Sequence, residues 1–204
     1  MFDSNIRALI DPLLARPGQL LAANGVSADV ITVGGCALGI AGAFAIAFGQ
    51  FGIALTLLIA NRIADGLDGA VARATQRTDL GAFLDITLDF LIYAAVPLGF
   101  AAWSPHANAL PAAFLLASFV VNGSAFLAFS IMAERRGLVT TRQGQKSIYY
   151  LAGVTEGFET IAFMAAFCLF PTEFPVLATI FGTLCWLSAA SRLVLGWKLL
   201  AGDA

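Results

Sequence analysis

Long apolar runs joined by short polar connections constrain this chain more than any other feature. About 20 apolar residues cross the ~30 Å hydrocarbon layer of a bilayer. Runs of this kind occupy residues 28–48, 51–74, 79–102, 110–133, 147–170 and 174–198. Of 204 residues, 59% are hydrophobic and 12% charged, too little charge to cover a soluble domain of this size. The alternating ten-residue segments of a membrane β-barrel do not appear. The expected fold is an all-α integral membrane protein: residues 1–204 form a single domain whose six transmembrane helices make one bundle over 28–200.

Basic residues set the expected orientation. Arg7 and Arg16 precede the first span, Arg73 and Arg77 lie between the second and third, and Arg135, Arg136, Arg142 and Lys146 between the fourth and fifth. Arg192 and Lys198 close the sixth. The opposite connections, around Gly49-Gln50, "SPHANA" and "PTEF", carry no Lys or Arg. Both termini are therefore expected in the cytoplasm. Since topology accounts for the basic groups, the net charge of -2 gives no reason to expect a nucleic-acid partner. Within residues 1–25, Ile6, Leu9, Ile10, Leu13 and Leu14 recur at helical spacing. An amphipathic helix lying in the cytoplasmic interface fits, bent near Pro12 or Pro17. Neither a signal-peptide pattern nor a lipidation box is present.

Most remaining features read as packing. Cys36, Cys168 and Cys185 fall inside spans without metal-ligand spacing. His106, the only histidine, lies in an outer connection, and Trp103, Tyr149, Tyr150 and Trp197 lie near span ends, where they suit interface anchoring. Gly35 and Gly39 have the small-xxx-small spacing of closely packed helices.

The exception is "ADGLDGAVARATQRTDLGAFLDITLDF", residues 64–90. Asp65 and Asp68 are three apart and share a face of the second span; Asp85 and Asp89 are four apart and share a face of the third. At 1.5 Å per residue, Asp68 and Asp65 lie ~9 and ~14 Å above the cytoplasmic end of one helix. Asp85 and Asp89 lie ~9 and ~15 Å above the start of the next. Four carboxylates thus reach one level of the bundle. Each costs at least ~2.5–3.5 kcal/mol at the centre of a spanning helix, so protons or cations must neutralise them. Hard oxygen ligands favour Mg²⁺, Mn²⁺ or Ca²⁺, and two divalent ions would balance four carboxylates. Paired metals suit displacement at phosphorus. Gly69 and Ala72 leave room on the same face for a diphosphate, Arg73 is placed to grip its oxygens, and Gly81 clears the facing wall.

"DGLDGAVAR" followed by "GAFLDITLD" resembles the signature of the CDP-alcohol phosphotransferases, D-x2-D-G-x2-A-R, a spacer, then G-x3-D-x3-D. Among them, the chain resembles a group of bacterial inner-membrane proteins sharing "NR…DGLDGA", "FLDI…LDF" and "TEG…ET". The resemblance implies a six-span membrane fold, commonly homodimeric, in the bacterial inner membrane with its site facing the cytoplasm. It implies transfer of a phosphatidyl group from CDP-diacylglycerol to an alcohol, with release of CMP. Asp65, Asp68 and Asp85 would ligate two Mg²⁺ or Mn²⁺ ions, and Asp89 would be the base and touch metal too. Asp29, Thr32, Asp65, Asp68, Gly69, Ala72, Arg73 and Gly81 match nucleotide-binding positions, with Ala28 in place of the usual Pro in "ADVIT". The spacer from Arg73 to Gly81 has seven residues where eight are usual; one deletion inside a helix would turn the later aspartates by ~100°, so the connection "ATQRTD" is expected to absorb it.

The acceptor is less constrained. Arg62 lies one turn deeper than Asp65, and Glu156 and Glu159 of the fifth span lie ~12–16 Å above its start, level with the aspartates. Either Arg62 pairs with a glutamate, or Arg62, Lys146, Glu156 and Glu159 line an acceptor pocket. Two glutamates among few cations favour an unphosphorylated polyol or amino-alcohol, the alternative being glycerol phosphate or inositol phosphate. A cation or proton transporter also places carboxylates in a bundle, but neither inverted repeats nor interrupted helices are visible.

Overall fold

The computed structural model describes residues 3–136, 155 and 157–201, with side chains from residue 11 onward. Seven α-helices account for nearly all of them: α1 (Asp3–Ala23), α2 (Ala28–Ala47), α3 (Phe51–Ala74), α4 (Asp79–Trp103), α5 (Pro105–Arg135), α6 (Gly157–Leu169) and α7 (Phe174–Leu200), the last preceded by a 3-10 turn at Pro171–Glu173. There is no strand among the described residues. Among the described residues, four segments are long and apolar enough to cross a membrane: α2, α4, α5 and Pro171–Leu200. In α3 the apolar pattern is interrupted by Arg62, Asp65, Asp68 and Arg73, and most of the expected span 147–170 lies outside the described residues, α6 being its second half. The fourth run extends further than its apolar residues suggest, because Pro105 opens α5 immediately after Ser104 and the polar "HANA" continues as helix.

Local signals set the helix ends. Ser27 caps α2, its hydroxyl accepting from the Val30 amide at 3.3 Å, and Thr78 caps α4 through the Gly81 amide at 3.0 Å. α1 and α2 both close on a glycine in the left-handed region, Gly25 at φ 77 and Gly49 at φ 72. After α2, the Gly49 amide donates to Ile46 O and the Gln50 amide to Ala45 O, both at 2.8 Å, the paired closure that a φ-positive glycine permits. At the other end of the bundle, Arg136 donates to the carbonyls of Leu199 and Leu200 at 3.1 and 3.0 Å, tying the end of α5 to the end of α7.

α2 sits against both α3 and α4 along its small residues. A Cβ at Gly35 would lie 2.9 Å from the Ala64 Cβ in α3, and one at Gly39 2.8 Å from Ile92 in α4. Side chains this small let the three helices approach closely enough to share a cleft, as their spacing suggests. A layer of aromatic rings fills the core between α3, α4, α6 and α7. Phe100 stacks on Phe174 with centroids 4.2 Å apart, and Phe163 on Phe181 at 4.5 Å. Trp103 belongs to this layer as well as to a helix end, meeting Phe51 edge-on at 4.7 Å. α1 lies along α3, with Leu14 over Gly66 and Gly18 over Ala70, and leaves Leu13 and Leu20 exposed.

The contact at Gly99 is the least forgiving. A Cβ there would lie 2.5 Å from the Ala43 carbonyl oxygen, and backbone cannot rotate away. Gly99→Ala is expected to destabilise the protein by about 1–3 kcal/mol. Gly34→Ala, with no atom within 4 Å of the new Cβ, should instead stabilise α2 by about 0.5–1 kcal/mol. Thermal unfolding of the two variants in the same detergent checks the opposite signs.

Candidate active site

Where α2, α3 and α4 meet, the four aspartates line one cleft together with Thr32, Asn61, Arg62 and the backbone-bare Gly35. Oxygens of Asp65, Asp85 and Asp89 lie within 4.8 Å of one another. Asp68, 8% exposed, accepts from the Thr32 hydroxyl at 2.6 Å. The break that allows this falls at Thr75–Thr78, between α3 and α4. Thr75 leaves the helix at φ -112, ψ -97, so the shorter spacer is taken up in the connection and the aspartates keep their facing.

Two arms hold this cleft together. From α3, Arg62 Nη2 donates to Asp89 Oδ1 at 2.7 Å, while Nη1 lies 3.8 Å from Asp65 Oδ2. Arg62 Nε donates to Asn61 Oδ1 at 2.8 Å, and Asn61 Nδ2 to the Gly35 carbonyl of α2 at 2.9 Å. From α4, the Tyr93 hydroxyl donates to Asp89 Oδ2 at 3.1 Å. A guanidinium therefore faces carboxylates on both helices, where sequence spacing left it to a glutamate or an acceptor.

The other expected residues are distributed around this centre. Asp29 Oδ1 lies beside Gly81 at the start of α4, where an added Cβ would stand 3.2 Å away. Gly69 leaves space for Arg73, whose Nη1 would be 3.3 Å from a Cβ there, and Ala72 is one residue before it. Arg73 itself turns to α1 and donates to Asp11 at 3.1 Å. Glu159 is in the first turn of α6 and half-buried. Lys146 and Glu156 lie outside the described residues. Asn61, Tyr93 and Asp11 are the polar partners that sequence reasoning missed. Tyr93 was accessible through its i, i+4 spacing from Asp89; Asp11 was not, since nothing local places α1 against α3.

The donor set fits a hard divalent cation. It consists of carboxylate oxygens at coordinating separation, contributed by two rigid helices, with a hydroxyl fixing the fourth carboxylate.

Comparison with known proteins agrees with this chemistry. Residues 26–194 match the family model described as CDP-alcohol phosphatidyltransferase. The inner membrane protein YnjF of Escherichia coli is 42% identical over 200 residues, covering 98% of this chain and 97% of the relative. An archaetidylinositol phosphate synthase of Pyrococcus horikoshii is 32% identical over 99 residues, 48% of this chain and 53% of that protein. The phosphatidylinositol phosphate synthase of Mycobacterium tuberculosis with CDP-DAG bound shares the fold at TM-score 0.73 and 21% identity, over 92% of this chain and 94% of that one. A second structure of that enzyme, in complex with manganese and citrate, gives TM-score 0.71 at 22% identity, over 91% and 89%.

Thr32 offers a check on the cleft. Thr32→Val removes the donor to a buried carboxylate and is expected to cost about 1–3 kcal/mol, whereas Thr32→Ser keeps it. Thermal unfolding in detergent without added metal should separate the two.

Proposed function

Because the chain belongs to the CDP-alcohol phosphatidyltransferase family, we propose that this enzyme transfers a phosphatidyl group from CDP-diacylglycerol to the hydroxyl of a small alcohol and releases CMP, a step of phospholipid biosynthesis. The observation that carries this reading is the convergence of Asp65, Asp85 and Asp89 from two helices on one point. Asp65, Asp68 and Asp85 would hold two divalent cations, Mg²⁺ or Mn²⁺, with Asp89 beside them in the cleft. When bound, these ions neutralise the donor diphosphate and the departing CMP.

The protein's own groups do the rest. Asp29, Thr32, Gly69, Ala72 and Gly81 border the nucleotide. Arg73 exchanges Asp11 for a donor phosphate; their half-exposed pair is worth about 0–1 kcal/mol, little enough to give up. Asp89 accepts the acceptor's proton as that oxygen bonds to the β-phosphorus and the bond from phosphorus to CMP breaks. No covalent intermediate on the protein is needed.

In the membrane the chain forms one domain with six spans, α3 and the segment ending in α6 joining the four recognisably apolar ones. Both termini lie in the cytoplasm, as the basic residues favour, and the site opens to that side. The membrane is the bacterial inner membrane, in keeping with the relative in Escherichia coli, and the active form is a homodimer.

For the acceptor, an unphosphorylated polyol or amino-alcohol is preferred, with Glu159 near its hydroxyls. Arg62 is engaged by Asp89 and Asp65, which takes one cation away from an acceptor phosphate. The second reading, a phosphorylated polyol, is favoured by the names of the archaeal and mycobacterial relatives.

Purified protein with CDP-diacylglycerol and a panel of acceptors tests these statements. CMP release should require Mg²⁺ or Mn²⁺, vanish on chelation and return on adding either ion. Asp89→Asn should lower turnover by at least about 10²-fold. Turnover only with a sugar or glycerol phosphate would establish the second reading over the first.

A further inference from the structure

Both oxygens of Asp89 are held by protein donors, Oδ1 by Arg62 and Oδ2 by Tyr93. The Arg62 arm is itself anchored. Its Nε is bonded to Asn61, which is 3% exposed, and Asn61 is bonded to the backbone carbonyl of Gly35. The chain of bonds runs from α2 through α3 to a carboxylate on α4. Tyr93 is seated against Phe90 and, across the helix boundary, against Phe119 of α5, with ring centroids 6.1 and 6.2 Å away. Three helices besides its own therefore fix the direction of one carboxylate. An ionised carboxylate has about four lone-pair sites; Arg62 and Tyr93 fill two of them, and Asp89 lines the cleft with the rest.

Arg62 is also only 3.8 Å from Asp65. Its charge reduces the repulsion between carboxylates of opposite helices, and by the same proximity it opposes a cation bound to Asp65. A residue that merely completed the cation site would not carry a positive charge there.

We infer that Arg62 is a positioning residue for Asp89: the Asn61–Arg62 arm and the Tyr93 hydroxyl orient the carboxylate that receives the acceptor's proton, and Arg62 contacts neither donor nor acceptor. This rests on the proposed reaction and assigns a specific task to residues outside the signature. Lysine cannot replace the guanidinium fully, because a single ammonium does not span Asn61 and Asp89 in one plane.

The test combines steady-state CMP release with Mn²⁺ titration followed by electron paramagnetic resonance, on purified wild type, Arg62→Met, Arg62→Lys and Tyr93→Phe. Arg62→Met is expected to lower kcat by about 10–100-fold, the usual range for partners that orient a ligand group. KM for CDP-diacylglycerol and for the acceptor should stay within threefold or so, and Mn²⁺ should bind no more weakly than to wild type. Arg62→Lys should recover part of the loss, and Tyr93→Phe should show a smaller fall in kcat with the same unchanged KM values. The inference is overturned if Arg62→Met keeps kcat within about twofold, if it raises acceptor KM at unchanged kcat, or if it loses Mn²⁺ binding together with turnover. Wild type releasing no CMP with any acceptor would instead defeat the reaction itself, while the Mn²⁺ titration still reports on the cation site.

Discussion

A carboxylate at the centre of a spanning helix costs about 2.5–3.5 kcal/mol even before it meets another, and α3 and α4 bring four to one level. Everything near them answers that cost. Arg62 sets a fixed positive charge between the helices, and Thr32 gives Asp68 a short hydrogen bond. The negative charge that remains, on Asp65, Asp85 and Asp89 whose oxygens lie within 4.8 Å of one another, attracts hard cations. The glycines of α2 matter for the same reason: without close approach at Gly35 and Gly39, the hydroxyl of Thr32 and the carbonyl of Gly35 would not reach α3.

The carboxylates were legible in the sequence because helix geometry fixes two quantities, depth and facing, from residue number alone. Asp65 with Asp68 and Asp85 with Asp89 needed nothing more than 1.5 Å per residue and a turn between them. The seven-residue spacer was harmless for an equally local reason, since Thr75–Thr78 is already outside both helices. Arg62 was not legible to the same degree. Its place one turn before Asp65 on α3 follows from the spacing, but which neighbour lies across from it depends on how α3 crosses α4, and that crossing is set by packing between many side chains. Asp11 shows the limit more sharply: a surface ion pair with Arg73 joins positions far apart in sequence through a helix, α1, whose docking no periodicity encodes.

The aromatic layer and the aspartate cleft divide the labour within the bundle. Phe100, Phe167, Phe174 and Phe181 are almost fully buried and bind α4, α6 and α7 into one body by dispersion and stacking. They contribute no polar atom, so they can hold the helices without competing for the ions or the substrate. The four aspartates and Arg62, in turn, gather where α2, α3 and α4 meet, and α1 packs on α3 with Leu14 over Gly66 and Gly18 over Ala70.

One consequence follows from the short connections closed by Gly49 and capped by Thr78. Every side chain assigned here to the cleft, from Asp29 to Tyr93, lies in the first half of the polypeptide, on three helices consecutive in sequence. Such a unit has low contact order. During synthesis its three helices emerge ahead of α5, so the aspartate cleft can begin to form as a nascent hairpin pair, and Phe119 of α5 seats Tyr93 afterwards.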